Sequence, residues 1–261
     1  MGWRTWAVGL VAVVGCGQSE QTASAPPSET PPQTAVTTRL ALPFDQACVT
    51  SAPTDSLPPP EKTLTGKPTA PLQQAVRAAW GQVTFTETAG KPDPVRVVLN
   101  TDAGEIELTL FPDLAPNHVR NFLALAKVGY YDGLVFERVV KQQAVSTDGT
   151  TVAVEFVTAG CPAGDGTPGR GHLGYFLKPE FNDLTHGEGT VGFLREEDDA
   201  SAGTRFYITL GKCPVMDGKY TAIGKVTRGL PAVERIAAAK TRDGEAERPE
   251  TATVIRSVNR D

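Results

Sequence analysis

The chain has 261 residues, a net charge of −5 at pH 7, and 40% hydrophobic residues. This length provides one sizeable hydrophobic core with appendages, or two small domains. The acidic balance argues against a general nucleic-acid-binding protein, and no run of about 18 apolar residues follows the N-terminus, which argues against a membrane channel. Four cysteines in this length do not make a disulfide scaffold.

The first 16 residues have the pattern of a bacterial lipoprotein signal peptide. One positive charge precedes the apolar stretch Trp6–Val14, which is too short for a stable transmembrane helix. The stretch leads into Val13-Val14-Gly15-Cys16, which resembles a lipobox, so we expect processing of residues 1–16 that leaves a lipid anchor on Cys16. The alternative is an ordinary secretory signal with an incidental cysteine. The lipid-anchor interpretation predicts a cell-envelope location facing the periplasm, and Gly17 favours the outer membrane.

Two segments separate this signal from the main domain. Residues 17–38 consist mainly of Ser, Thr, Pro, Gln and Ala, which predicts a disordered tether. Residues 39–94 are a Pro-rich extension, in which apolar spacing predicts a short helix over Leu72–Trp80 and alternation predicts a strand over Val83–Thr86. The extension either packs on the main domain or forms a separate dimerisation or partner-docking element.

Residues 95–261 carry the pattern of the main folded domain. Val95–Asn100 and Glu105–Leu110 flank a turn and predict a hairpin with one buried face. Helices are expected from about Pro116 to Gly129 and from Leu230 to Ala239. The many strands and the lack of βαβ alternation predict a mainly β fold, an antiparallel barrel or sandwich. The remaining strand-like segments are Leu134–Val140, Val152–Thr158, Gly189–Leu194, Thr204–Leu210, Tyr220–Val226 and Ala252–Val258.

Five motifs of this domain resemble those of cyclophilin-type peptidyl-prolyl isomerases, in the family's order. The motifs are Thr101-Asp102-Ala103-Gly104-Glu105-Ile106, Ala115-Pro116-Asn117-His118-Val119-Arg120-Asn121-Phe122, Gly129-Tyr130-Tyr131-Asp132-Gly133-Leu134-Val135-Phe136-Glu137-Arg138-Val139-Val140, Thr204-Arg205-Phe206-Tyr207-Ile208, and Met216-Asp217-Gly218-Lys219-Tyr220 with Ile223-Gly224-Lys225-Val226. The third resembles the family's "GYYDGxxFHRVI" and the fourth its "SQFFI". The resemblance implies a cyclophilin-like eight-stranded antiparallel β-barrel, capped by two α-helices, with a peptide groove on its outer surface.

The resemblance also implies the chemistry, which is rotation about X–Pro peptide bonds of proline-containing polypeptides. No bond breaks, so neither cofactor nor metal is required. Arg138 matches the family's catalytic arginine, whose guanidinium can stabilise the twisted amide. Phe156 is the candidate pocket phenylalanine, and Tyr207 and Met216 match the pocket's second aromatic and its aliphatic residue. Nucleic acid is not an expected partner.

The candidate groove departs from the family pattern in spacing. Residues 141–155 separate Arg138 from Phe156, whereas the family places about five residues there. The segment contains a turn sequence at Thr147–Thr150 and looks like an inserted hairpin beside the groove.

The polar half of the groove also departs from the family. The two groove glutamines correspond to Ala159 and Arg205, the indole position to Val215, and the histidine to Tyr220. Arg205 and Tyr220 remain candidate substrate-binding residues. These changes leave two functions open, a prolyl isomerase that acts on exported proteins through Arg138, or a catalytically weak or inactive module that binds proline-containing peptides.

No other chemical site is indicated. The three histidines have no metal-ligand spacing among themselves or with the cysteines, so no metal is expected. His118 lies in the first turn of a predicted helix and is expected at the surface. Three cysteines remain besides Cys16, which allows at most one disulfide of unspecified pairing, and they are Cys48, Cys161 and Cys213.

Overall fold

The structure, a computed structural model, describes residues 41–146, 149–242 and 245–261, without the side chains of residues 245 and 246. The expected signal peptide, Cys16 and the expected tether 17–38 lie outside the described residues, as do two residues of the expected turn in 147–150. The described residues belong to one compact unit. Among them, no helix combines the length and the apolar character that crossing a membrane requires.

The described chain contains four α-helices and many strands. The helices are α1 (Phe44–Ala47), α2 (Thr69–Trp80), α3 (Pro116–Lys127) and α4 (Leu230–Ala237), with a 3-10 helix at Pro214–Met216. The strands are β1 (Cys48–Val49), β2 (Glu87–Thr88), β3 (Lys91–Pro92), β4 (Val95–Thr101), β5 (Gly104–Leu110), β6 (Phe136–Val145), β7 (Thr151–Ala159), β8 (Phe176–Leu177), β9 (Thr190–Phe193), β10 (Phe206–Thr209), β11 (Ala222–Arg228), β12 (Thr241–Arg242), β13 (Glu245–Pro249) and β14 (Ile255–Arg260).

Eight of these strands form one antiparallel sheet in the order β14-β4-β5-β11-β9-β10-β7-β6. The sheet curls until its edges meet. Val135 and Val254 form a bridge, and the amide of Phe136 donates to the carbonyl of Thr253 at 2.9 Å. Such contacts satisfy edge groups that a flat sheet would leave unpaired. The predicted mainly β fold with an eight-stranded antiparallel barrel is confirmed.

Two helices pack on this barrel. Helix α3 lies against β14, and α4 lies against β5, β6 and β7. Helix α4 follows Gly229, whose φ is +89° and where a Cβ atom would come within 2.1 Å of the Glu105 carbonyl oxygen. Only glycine fits this junction, because the left-handed backbone and the close approach both exclude a side chain. The amphipathic face of α4 then buries Val233 and Ile236.

The predicted strand at Val83–Thr86 is wrong. This segment has no regular structure, and only Glu87–Thr88 beyond it pairs, with Lys91–Pro92. Val83 directly follows the turn that ends α2, and its amide donates to the carbonyl of Trp80 at 3.3 Å. Its buried side chain therefore closes the end of the helix.

The extension packs on the main domain, as the first of the two alternatives expected. Helix α2 lies against α3. The buried Trp80 indole donates to the carbonyl of Leu42 at 2.9 Å. Nearer the N-terminus of the extension, the Pro-rich part runs along a glycine-rich loop of the main domain, residues 160–171. The amide of Leu57 donates to the Gly169 carbonyl at 2.9 Å, and that of Leu64 donates to the Pro162 carbonyl at 2.7 Å.

One buried carboxylate closes the N-terminus of α3, which corrects the expected surface position of His118. Glu180 accepts hydrogen bonds from the backbone amides of Asn117 (3.1 Å) and His118 (2.8 Å) and pairs with His118 Nδ1 at 2.7 Å. Burial raises the pKa of Glu180, but the interactions with His118 and Asn117 outweigh it and lower that pKa overall. His118 is fully buried because its ring turns inward to the carboxylate that satisfies the free helix N–H groups.

Candidate active site

Strand register brings the candidate residues to one face of the sheet. Arg138 lies opposite Thr158, and Val140 lies opposite Phe156. Thr158 in turn lies opposite Tyr207 on the next strand. Directly opposed residues of an antiparallel sheet share a face. The row formed by Arg138, Thr158 and Tyr207 is therefore a neighbour of the row formed by Val140 and Phe156 on the outside of the barrel. The residues between them in sequence point into the main core, and they include Val139, Val157 and Ile208.

The outer face carries an apolar cluster separate from the main core. This outer cluster consists of Val140, Phe156, Tyr207, Cys213 and Met216. The rings of Phe156 and Tyr207 have centroids 5.8 Å apart. Val215 and Tyr220 pack on the cluster and are partly buried. The structure therefore brings together Phe156, Tyr207 and Met216, the three predicted pocket residues, despite the long insertion that precedes Phe156.

The insertion itself is a continuation of the β6–β7 hairpin. The paired register runs from Arg138 opposite Thr158 out to Val145 opposite Thr151. Both strands of the hairpin therefore lengthen together, and the added residues leave the pairing of Val140 with Phe156 intact. The expected inserted hairpin is observed, although residues 147 and 148 of its turn lie outside the described residues.

Tyr207 is held by a hydrogen-bonded chain beneath the outer cluster. Its hydroxyl lies 2.7 Å from His186 Nε2, and His186 Nδ1 lies 2.7 Å from Asp217 Oδ1. Burial raises the pKa of Tyr207 well above its ordinary value and lowers the pKa of His186, the latter against the opposing effect of Asp217. The neutral phenol therefore donates to Nε2, and Nδ1–H donates to the carboxylate. Gly192 makes room for the phenol, because a Cβ atom there would lie 2.2 Å from the hydroxyl.

Arg138 stands beside the outer cluster with its side chain 20% exposed. Its methylene stem packs on the glycine-rich loop, where a Cβ atom on Gly166 would lie 2.8 Å from the Arg138 Cγ atom. Its Nη2 atom donates to Glu247 on β13. Burial and the nearby Arg205 guanidinium lower the pKa of Arg138 to about 10, so the side chain is charged at neutral pH.

Arg205, a predicted substrate-binding residue, lies beneath the groove surface. Its side chain is 2% exposed, and its Nε atom donates to Glu137 Oε1 at 3.0 Å. Thr158 joins the pair, donating to the same carboxylate oxygen at 3.1 Å. The register shifts between Phe136 and Arg138, and this bulge lets Glu137 reach the side of the sheet on which Thr158 lies.

Tyr220, the remaining predicted substrate-binding residue, lies at the edge of the outer cluster. Its ring centroid is 6.1 Å from that of Tyr207 and 4.7 Å from the guanidinium carbon of Arg195. Arg195 also donates to the carbonyls of Lys219 (2.9 Å) and Glu196 (2.8 Å). The cation–π contact thus ties the acidic loop that begins at Glu196 to this edge.

The three described cysteines are buried free thiols, so none of the disulfides that the sequence allowed among them is formed. Burial raises the pKa of Cys48 to about 12 and that of Cys161 to about 11, which keeps both protonated. Across residues 41–146, 149–242 and 245–261, no group of three or more His, Cys, Asp or Glu side chains could hold a metal ion.

Sequence reasoning missed three parts of this site. Glu137 stands where the family motif has histidine, and pairing this change with Arg205 would have indicated an ion pair. His186 and Asp217 carried no spacing signal because 31 residues separate them. Glu247 is 109 residues from Arg138, and nothing in the sequence around it indicated a contact.

The buried Glu137–Arg205 pair predicts strong non-additivity between variants. Glu137→His and Arg205→Gln should each lower the free energy of unfolding by about 3–5 kcal/mol, because each leaves one charge buried without its partner. The double variant restores both family residue types. We expect its loss of free energy of unfolding to be well below the sum of the losses in the two single variants. Urea unfolding measures all three. Arg77→Gln, which breaks an exposed pair with Asp45, is the control and should cost less than about 1 kcal/mol. Additive losses would contradict the pairing.

The Tyr207–His186 hydrogen bond predicts a pH-dependent stability. The pKa of His186 in the folded chain lies below its ordinary value of 6.5, so the unfolded chain binds the proton first. The free energy of unfolding should therefore fall as pH decreases below about 6.5. Tyr207→Phe removes the donor to neutral Nε2, so this variant should be less stable than the parent at pH 7.5 by about 1–3 kcal/mol. Its free energy of unfolding should also fall by less on acidification. His172, whose pKa burial also lowers, is present in the parent and in Tyr207→Phe and contributes to the pH dependence of both. Equal slopes of the free energy of unfolding against pH in the two proteins would contradict the prediction.

Comparisons with known proteins agree with this geometry. The family profile described as "Cyclophilin type peptidyl-prolyl cis-trans isomerase/CLD" matches residues 96–260. A probable peptidyl-prolyl cis-trans isomerase of Brucella suis is 34% identical over 152 residues, which cover 58% of this chain and 76% of that protein. A peptidyl-prolyl cis-trans isomerase of Rhizopus delemar is 35% identical over 144 residues, which cover 55% of this chain but only 21% of the fungal protein.

A solved structure supports the fold. The crystal structure of a cyclophilin-type peptidyl-prolyl cis-trans isomerase of Cryptosporidium parvum superposes with a TM-score of 0.54 at 20% sequence identity, covering 65% of this chain and 98% of that one. The same protein was also solved in the presence of the dipeptide Ala-Pro, with a TM-score of 0.53. From the matched profile and the bacterial relative, together with the barrel and its outer cluster, the chain belongs to the cyclophilin-type peptidyl-prolyl cis-trans isomerases, a family of enzymes.

Proposed function

We propose that this chain isomerises X–Pro bonds of exported proteins at the cell envelope, with Arg138 as the catalytic residue. The observation that carries the proposal is the strand register that places Arg138, whose charged side chain is partly exposed, in the row next to the outer cluster. An apolar surface that binds a proline ring and a cation that faces the adjoining amide are what this rotation needs.

The rotation requires stabilisation of a twisted amide. Resonance gives the peptide bond a rotational barrier of roughly 18–20 kcal/mol. Twisting breaks the resonance, leaves a lone pair on the proline nitrogen and shifts charge on the carbonyl group. A fixed guanidinium that donates to these atoms in the twisted state, and less in the planar states, lowers the barrier. No nucleophile and no change of oxidation state is involved.

The outer cluster supplies the binding half of this mechanism. Phe156, Tyr207 and Met216 pack together on the outer face of the sheet with at most 9% of each residue exposed, and the hydrogen bond to His186 fixes the Tyr207 ring. In this proposal a proline ring packs on the small part of the cluster that is exposed. Tyr220 extends the surface at one edge. The Ala-Pro dipeptide present with the Cryptosporidium parvum protein supports proline-containing peptides as the ligand class. In this proposal Arg205 lies beneath the peptide-binding surface and contributes as the ion-pair partner of Glu137.

The N-terminal sequence supports the proposed location. A segment that resembles a lipobox and ends at Cys16, followed by a Pro-rich segment, supports an anchor on the periplasmic face of the outer membrane. Proteins that have crossed the inner membrane would then be the substrates, since their X–Pro bonds isomerise in tens to hundreds of seconds without a catalyst.

Arg138→Lys should damage activity nearly as much as Arg138→Ala. A lysine keeps the charge but lacks the planar fork of donors, so it cannot hold the same position against the amide. We expect kcat/KM to fall by about 10²–10³ in both variants, with the fold retained. A protease-coupled assay on a proline-containing peptide measures the rate. Arg256→Lys, which keeps the charge in an exposed ion pair with Asp102, is the control and should retain most activity.

Two results would contradict the catalytic proposal. Full activity in both Arg138 variants would remove the arginine mechanism. An inactive parent that binds proline-containing peptides would favour the binding module, for which the loss of both groove glutamines, now Ala159 and Arg205, is the supporting observation.

Cys16→Ala should release the protein from the membrane fraction of bacterial cells expressing the full chain. The parent should sediment with membranes and resist carbonate washing, because acyl chains at the first mature residue anchor it. Cys48→Ala, which changes a buried cysteine of the folded part, is the matched control and should remain with membranes. Equal solubility of parent and Cys16→Ala would remove the lipid anchor.

A further inference from the structure

We infer that Glu247 is the positioning residue for Arg138, and that the hairpin formed by β12 and β13 supplies it to the active site. This inference rests on the proposed function of Arg138 as the catalytic residue. It concerns how the guanidinium is kept in place, since the two family glutamines of this groove are absent and the side chains that replace them, Ala159 and Arg205, face elsewhere or are already paired.

The contacts of Glu247 define its role. One carboxylate oxygen, Oε2, accepts from Arg138 Nη2, and the other, Oε1, accepts from Gln142 Nε2. Arg138 and Gln142 are four residues apart on β6 and therefore point to the same side of that strand. The carboxylate thus bridges two side chains of one strand, and its own exposure is only 19%.

The hairpin that carries Glu247 is anchored on both sides. At its base, Lys240 Nζ pairs with Glu250 Oε1 at 2.7 Å, and the amide of Glu250 donates to the carbonyl of Lys240 at 2.8 Å. Thr241 and Pro249 form the next pair of the ladder. Strand β13 also lies directly alongside β6. These contacts fix the position from which the carboxylate approaches Arg138.

Among the described residues only Glu247 accepts a hydrogen bond from the Arg138 head group, although the nearby carboxylates of Glu137 and Glu196 also favour its charge. Gly166 supports only the methylene stem. Beneath, Arg205 is committed to Glu137 and repels Arg138. Glu247 therefore opposes this repulsion and fixes one edge of the guanidinium. Because the bond uses Nη2, the N–H groups on Nε and Nη1 remain for a substrate amide, and the described residues contribute no hydrogen bond to either.

The alternative reading of the same contact is inhibition, in which the carboxylate occupies the place of the substrate. The two readings predict opposite changes in the catalytic rate when the Glu247 carboxylate is removed. A positioning residue raises the rate through Arg138, and its removal slows catalysis. An inhibitory carboxylate masks the cation, and its removal speeds catalysis or tightens peptide binding.

A mutant cycle on the folded chain separates these readings. Glu247→Ala should lower kcat/KM by about 10- to 100-fold, mainly through kcat, because a displaced catalytic group loses its alignment. Glu247→Gln should keep most activity, since its carbonyl oxygen still accepts from Arg138 and the Gln142 amide can turn to pair with its NH₂ group. Glu87→Ala, which changes an exposed glutamate on β2, is the control and should leave the rate near that of the parent.

The decisive comparison is made without the arginine. In an Arg138→Ala background, Glu247→Ala should cause no further loss, because it acts only through that guanidinium. An equal loss in both backgrounds would overturn the inference in favour of a merely structural role. A rate equal to or above that of the parent in Glu247→Ala would also overturn it.

A second measurement does not depend on catalysis. The side-chain ¹⁵N resonances of Arg138 should show slow guanidinium rotation in the parent and in Glu247→Gln, and fast rotation in Glu247→Ala. Equally fast rotation in parent and Glu247→Ala would overturn the positioning role. If the parent shows no isomerase activity while rotation is slowed by Glu247, the proposed function fails and the contact stands, so the two failures are distinguishable.

Discussion

Side chains of an antiparallel strand alternate between two faces, and the active site depends on this constraint being kept across three strands. In β6, β7 and β10 the alternation places Val139, Val157 and Ile208 in the main core. Their neighbours along each strand then have to face outward, which places Arg138 and Phe156 on one surface. A shift of one residue in any of the three strands would exchange core and groove. Burial of the core residues therefore fixes the groove as well.

A charged residue, Glu137, departs from this alternation in β6. The bulge between Phe136 and Arg138 lets Glu137 join Thr158 and Arg205 beneath the groove. Burying a carboxylate and a guanidinium costs desolvation energy, which their mutual contact and the Thr158 hydroxyl offset in part, since Glu137 Oε2 and Arg205 Nη1 are buried without a hydrogen bond from the described residues. Two arginines consequently lie close together with different hydrogen-bonded carboxylates, since Arg205 has Glu137 and Arg138 has Glu247.

The Pro-rich extension reaches the active site indirectly, through the glycine-rich loop. Leu57 and Leu64 bind the backbone of that loop from outside. On its inner side, Gly166 supports the Arg138 stem, and the amide of Gly169 donates to Glu196 at 2.9 Å. The close approaches at Gly164 and Gly166 exclude Cβ atoms, which is the physical reason for glycine on both sides of the loop. The extension is thereby part of the scaffold that holds Arg138.

Sequence patterns and family motifs predicted the fold class, most element positions and three of the five residues of the outer cluster. Periodicity and turn residues are local properties, and the family motifs placed Arg138, Tyr207 and Met216 even though the insertion lengthened the hairpin before Phe156. Only the tertiary structure decided where charged side chains lie. Burial of Arg205 with Glu137, inward rotation of His118 to Glu180, and the reach of Glu247 to Arg138 all join residues that are distant in sequence. Such contacts depend on how elements pack, because electrostatic partners are chosen by distance and desolvation in the folded chain, and neither leaves a local pattern.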